Sequence, residues 1–177
     1  MKSGSFSFRI KHQIFILIFI AVGLNANTLF NDYALDDAVV MTENRFVAKG
    51  LNGISEILTS DYVYGYTSKE NILTGVRYRP FSLIFFAVEH QFFGANPLVS
   101  HLINILLFTL LTALLYKLLQ VSVFREQNQY LAFVTCLLFA VHPIHTEVIA
   151  NVKSRDELIA FIFILFSSFA IIKVFCK

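Results

Sequence analysis

Apolar residues gather into a few long runs along this chain, and polar residues collect between them. The first run, Ile14 to Leu24, comes after Lys2, Arg9 and Lys11 and continues weakly through Asn25 and Asn27 to Phe30. About eleven apolar residues suit a signal peptide or a signal anchor, with Leu24-Asn25-Ala26 as an imperfect cleavage site. An uncleaved anchor is the preferred reading, and either one exports the segment beyond it. Leu98 to Leu119 extends about 33 Å as a helix, enough for a hydrocarbon core of about 30 Å. Tyr130 to Val141 is shorter and is broken by Pro143, so it tilts within a thin region or ends among neighbouring helices. Leu158 to Phe175 reaches about 27 Å and ends in Lys173 and Lys177.

The pattern therefore predicts an all-α membrane protein of about four transmembrane helices, near residues 13–30, 98–119, 130–149 and 155–175. A long external loop, residues 31–97, carries juxtamembrane helices. Within it, Phe81 to Phe93 is apolar but only about 20 Å long as a helix and contains Glu89 and His90, so it reads as interfacial. Val47, Leu51, Ile54 and Leu58 recur at helical spacing and predict an amphipathic surface helix, which Gly50 and Gly53 oppose. The aromatic stretch Asp61 to Tyr66 suits the headgroup level.

Composition reinforces the membrane reading. Hydrophobic residues make up 56% of the 177, charged residues 15%, and 20 residues are Phe, which leaves too few charges to coat a soluble globule. With the interfacial reading of Phe81–Phe93, Lys117, Arg125 and both basic termini fall on the cytoplasmic side. All but Glu126 of the 12 acidic residues then lie outside. Cys136 sits in a span and Cys176 at the cytoplasmic end, which argues against a disulfide framework.

Four polar clusters carry candidate chemistry. Asp36 and Asp37 come soon after the first span; adjacent carboxylates near a membrane surface repel, so the expectation is that one titrates higher or a cation is recruited, unless they are a solvated turn. Arg77 and Arg79, beside Pro80 at the first turn of the interfacial helix, suit a phosphate clamp or headgroup anchors. His142, His145 and Glu147 end the third span and are candidate substrate-binding residues; they could also ligate a metal, although a proline separates the histidines and the spacing is not that of a zinc helix. Ser154 and Glu157 have the spacing of a capping box at the start of the last run, a role that does not require Asp156.

Taken together, YALDDAVVMTEN, SDYVYGY, RYRPFSLIFFAVEHQFFGANPLVSHLINILL and LLFAVHPIHTEVIANVKSRDEL resemble the amino-terminal part of GT-C membrane glycosyltransferases. The wording is most similar to the transmembrane and tetratricopeptide-repeat O-mannosyltransferase group and its bacterial relatives, over about residues 13–175. The resemblance implies transfer of a sugar from a polyprenyl-phosphate carrier to a protein or glycan acceptor on the external or luminal face. It makes Asp36 the general base or acceptor-positioning carboxylate with Asp37 beside it, Asp156 and Glu157 the second acidic motif and a seat for a divalent cation, and Arg79, with Arg77, the lipid-phosphate contact. The implied location is a bacterial inner membrane, with the endoplasmic reticulum as the alternative; the bilayer is a partner and nucleic acid is not. Members of the family are much longer, so the chain is expected to be a fragment, a truncated product or half of a split protein. Rival readings are a non-catalytic membrane scaffold or subunit and a transporter component; the latter would carry more ionisable groups inside the spans.

Overall fold

The computed structural model describes residues 3–67, 78–123 and 129–175; Arg77, Arg125, Glu126 and Cys176 lie outside them. Helix α1, Ser3–Asn25, runs into a 3-10 turn, Ala26–Phe30. Its polar end is satisfied internally, because Asn25 donates to the Ala21 carbonyl and Thr28 to that of Asn25, both at 2.8 Å. The asparagines therefore do not end the apolar run at Leu24.

The loop after α1 has a core of its own. A π-helical turn, Ala38–Thr42, leads to a 3-10 turn, Val47–Gly53, and to the short helices α2, Ile54–Thr59, and α3, Tyr64–Thr67. Asn44 organises the bend between the first two: its amide donates to Val39 O at 2.9 Å, and its carbonyl accepts from the backbone of Phe46 and Val47 at 3.1 Å. Helix α4, Pro80–Phe93, has Pro80 in its first turn, as the missing N–H favours. Gly94, at φ 64°, ends it. Val40, Met41, Phe46, Val47, Ile57 and Tyr62 are buried against Leu83, Phe86 and Ala87 of α4.

The amphipathic helix predicted across Val47–Leu58 is not continuous. Gly50 takes φ 59° and ψ −136°, which kinks the Val47–Gly53 stretch in its middle, ahead of α2. Leu51 and Leu58 are exposed, while Val47 and Ile57 carry the burial. Only glycine adopts that backbone cheaply, so conformation overrides the apolar spacing.

Helix α5, Pro97–Val121, precedes α6, Gln129–Val141, then α7, His145–Ala150, a 3-10 turn, Val152–Ser154, and α8, Arg155–Phe175. Among the described residues, three helical stretches are long and apolar enough to cross a membrane: Ile10–Phe30, Pro97–Val121 and Val152–Phe175. The run expected near residues 130–149 is divided: α6 stops at Val141, and the turn through Pro143 starts a separate short helix. No strand occurs among the described residues.

Ala21 of α1, Ile105, Phe108 and Leu111 of α5, and Leu158, Ile162 and Leu165 of α8 form one buried cluster. A second, Leu17, Tyr116, Ala132 and Cys136, ties α1 and α5 to α6. Phe15, Phe19, Phe163, Ile164 and Phe166 stay exposed, as side chains facing lipid do. The chain is an all-α membrane protein.

Candidate active site

The sequence places the two acidic motifs far apart, and the fold joins them through the turn before α8. Asp37 is 1% exposed. One of its carboxylate oxygens accepts from the Ala34 backbone at 3.1 Å, closing its own turn, and the other accepts from the Lys153 backbone at 2.9 Å. Asp36 points outward, its side chain 57% exposed, and pairs with the Lys153 ammonium at 2.5 Å. The neighbours thus divide the work: Asp37 holds the loop to the start of α8, and Asp36 presents a reachable carboxylate.

Arg79 precedes α4, and its guanidinium forms an ion pair with Asp156 in the first turn of α8. Phe81 and Phe163 meet edge-on behind them, ring centres 6.2 Å apart. Arg79, Asp156 and Glu157 line a groove of about 730 Å³ together with Pro80, Phe81, Ile159 and Phe163. Charged and hydrocarbon side chains lining one groove suit a ligand with both an anionic and an apolar part.

Beneath this surface lies a buried network that the residue pattern did not disclose. Arg155, 0% exposed, forms an ion pair with Glu89 of α4, donates from Nε to Asn104 Oδ1 at 2.8 Å and from Nη2 to the Ser100 carbonyl at 3.0 Å, and lies 4.4 Å above the Phe86 ring. The Ser100 hydroxyl donates to Glu89, so the Tyr33 hydroxyl, 2.8 Å away, must donate to Ser100. Asn104 reaches the carbonyls of Ile149 and Asn151 at 3.2 and 3.3 Å. One arginine thereby fixes the Asp36 loop, α4, α5 and the turn before α8 relative to one another. The available signal was Glu89, an acid inside an apolar helix, which requires a cationic partner.

His142, His145 and Glu147 stand apart from this cluster. His142 Nδ1 accepts from the Ile144 backbone at 3.2 Å, and His145 packs on Phe139 with ring centres 4.2 Å apart. Glu147 is exposed on α7. Among the described residues, no hydrogen bond or ion pair links these three to Asp36, Arg79 or Asp156, and no three His, Cys, Asp or Glu side chains converge as metal ligands.

No family model matches the chain, and no solved structure matches it. Curated proteins do. Protein O-mannosyl-transferase TMTC1 of Homo sapiens is 36% identical over 75% of this chain and 15% of its own length. Protein O-mannosyl-transferase F38B6.6 of Caenorhabditis elegans is 31% identical over 86% of this chain and 22% of its own length. Protein O-mannosyl-transferase TMTC2 of Homo sapiens is 30% identical over 87% and 18%. The chain spans between 15% and 22% of the length of these relatives. Over most of its own length, this membrane protein is a homologue of the TMTC group of protein O-mannosyl-transferases.

Proposed function

We propose that the chain forms the catalytic face of a multi-pass GT-C-type membrane glycosyltransferase, which transfers mannose from a polyprenyl-phosphate carrier to a protein hydroxyl on the non-cytoplasmic side. The observation that carries this reading is that Arg79, Asp156 and Glu157 line a groove with Pro80, Phe81, Ile159 and Phe163, with the exposed carboxylate of Asp36 paired to Lys153 in the turn that precedes Asp156. The similarity to protein O-mannosyl-transferases supports mannose as the sugar and a protein as the acceptor.

In this mechanism the carrier's hydrocarbon lies along Phe81 and Phe163, and Arg79 holds its phosphate. Asp36 takes the proton of the acceptor hydroxyl as its oxygen bonds to the anomeric carbon. The bond from that carbon to the phosphate oxygen breaks, and its electron pair leaves with the phosphate, whose charge Arg79 holds. Asp156 and Glu157 suit a magnesium-like ion, which commonly takes one or two carboxylates, several waters and a substrate phosphate. Bound there, such an ion would neutralise further charge on the departing phosphate. The animal source of the matched relatives favours the endoplasmic reticulum over a bacterial inner membrane.

Binding of a fluorescent polyprenyl phosphate to the protein in nanodiscs tests the groove. Arg79→Ala should weaken binding by about tenfold or more, the loss of a charge-assisted contact. Unchanged binding would remove Arg79 from the phosphate site.

A further inference from the structure

One residue serves both carboxylates of the Asp36-Asp37 pair. Lys153 stands in the middle of the turn Val152–Ser154, just ahead of α8. Its backbone N–H donates to Asp37 Oδ1 at 2.9 Å, and its ammonium pairs with Asp36 Oδ2 at 2.5 Å. The turn is fixed on both sides of it. Val152 is fully buried in the core of the loop, the Ser154 N–H donates to the Asn151 carbonyl at 3.1 Å, and Arg155 is locked into the network beneath. A bond from the peptide backbone needs no particular side chain, so the Asp37 contact does not explain why a lysine stands here.

Stability does not explain it either. With the Asp36 side chain 57% exposed, an ion pair so open to solvent contributes little to folding. Lysine side chains mostly lie in water, yet that of Lys153 is only 26% exposed. Confining so flexible a side chain costs rotamer freedom. What the contact supplies is a fixed orientation for a carboxylate that would otherwise turn freely. Among the described residues, Asp36 Oδ1 accepts no hydrogen bond, so one oxygen is held and the other stays open.

From these contacts we infer that Lys153 is a positioning residue for Asp36: it grips one carboxylate oxygen and so aims the other at the acceptor hydroxyl. The inference rests on the base role proposed above for Asp36 and adds a residue that touches neither sugar nor carrier. The acceptor's proton passes to the open oxygen, Oδ1, as the acceptor oxygen bonds to the anomeric carbon and the phosphate departs. Small errors in the placing of such a base are felt strongly in the rate. Because the backbone of Lys153 holds Asp37, the loop keeps its anchor when the side chain is changed. The orientation of Asp36 is therefore separable from folding.

The test is mannose transfer from polyprenyl-phosphate mannose to a hydroxyl-bearing peptide by native membranes carrying the protein. Lys153→Met keeps the stem and the backbone N–H and removes the charge. It should lower kcat about tenfold and leave KM for the carrier unchanged, because Arg79 and the groove are untouched. Lys153→Arg, which can still grip a carboxylate, should recover most of the loss. In the Asp36→Asn background, Lys153→Met should slow the residual transfer no further, since Lys153 acts only through that carboxylate. An unchanged kcat in Lys153→Met, or a loss that Lys153→Arg does not recover, would overturn the positioning role and leave Asp36 as the base. An equal loss in both backgrounds would overturn it too, by showing that Lys153 acts on the substrates directly. If the Asp36→Asn protein transfers mannose at the wild-type rate, the base and the positioning role fall together.

Discussion

Arg155 and Glu89, separated by 66 residues, form an ion pair whose side chains are 1% and 2% exposed. The pair sits one residue from Asp156 and ties α8 to α4, so the spacing between Asp156 and Arg79 depends on it. Desolvating two charges costs several kcal/mol, which mutual attraction and the hydrogen bonds from Ser100 and to Asn104 must offset.

Breaking this pair from one side should therefore be severe. Glu89→Gln leaves an uncompensated buried guanidinium and should cost about 3–5 kcal/mol, whereas Glu89→Leu with Arg155→Met should recover much of that loss. Thermal unfolding of the detergent-solubilised variants measures both. A single variant as stable as the wild type would show that the pair does not hold the site together.

Gly50 offers a backbone test of the loop. At φ 59° and ψ −136° an added Cβ would also lie 2.2 Å from Gln91 Oε1, the atom that accepts the Leu51 backbone N–H. Gly50→Ala should destabilise the protein by about 1–3 kcal/mol, measurable by the same unfolding assay. Gln91→Ala, which clears the space but not the backbone strain, should rescue it only in part.

Glu56 provides the pH dependence. The hydrogen bond from Lys49, then its own backbone N–H and the Ser55 hydroxyl, lower its carboxyl from 4.5 to about 2. A lowered folded value means the contribution to stability is present above pH 4.5 and fades as pH falls toward 2. Lys49→Met should move the Glu56 midpoint, tracked by carboxyl-carbon NMR, back toward its ordinary value. No movement would remove Lys49 as the main cause.

Topology is tested by labelling single cysteines after Cys136 and Cys176 are replaced by Ala. Ser55→Cys should react with an impermeant reagent on the non-cytoplasmic side, and Ser122→Cys only after the membrane is opened. Protection of residue 55 would reverse the orientation on which the proposed acceptor side depends.

The helical membrane fold was legible because long apolar runs need few assumptions: α5 and α8 match the predicted runs closely. Arg79, Asp36 and Asp156 were legible as motifs, but their partners were not. Nothing in the local pattern tells that Lys153 bridges to Asp36 across 117 positions, or that Asp37 turns inward while Asp36 turns out. Those outcomes depend on tertiary packing and on which carboxylate finds backbone donors. The Val47–Leu58 stripe misled because apolar spacing alone ignores the backbone that Gly50 adopts. Glu89 was visible as an anomaly, and pairing it with Arg155 required knowing that α4 and α8 meet.

The most direct measurement is mannose transfer from polyprenyl-phosphate mannose to a hydroxyl-bearing peptide, by native membranes carrying the protein, with Asp36→Asn compared against wild type at equal expression. The substitution keeps size and removes the base, so turnover should fall about a hundredfold or more while carrier binding persists. Transfer by the Asp36→Asn protein at the wild-type rate would contradict the catalytic assignment of Asp36 and leave that carboxylate as only the partner of Lys153.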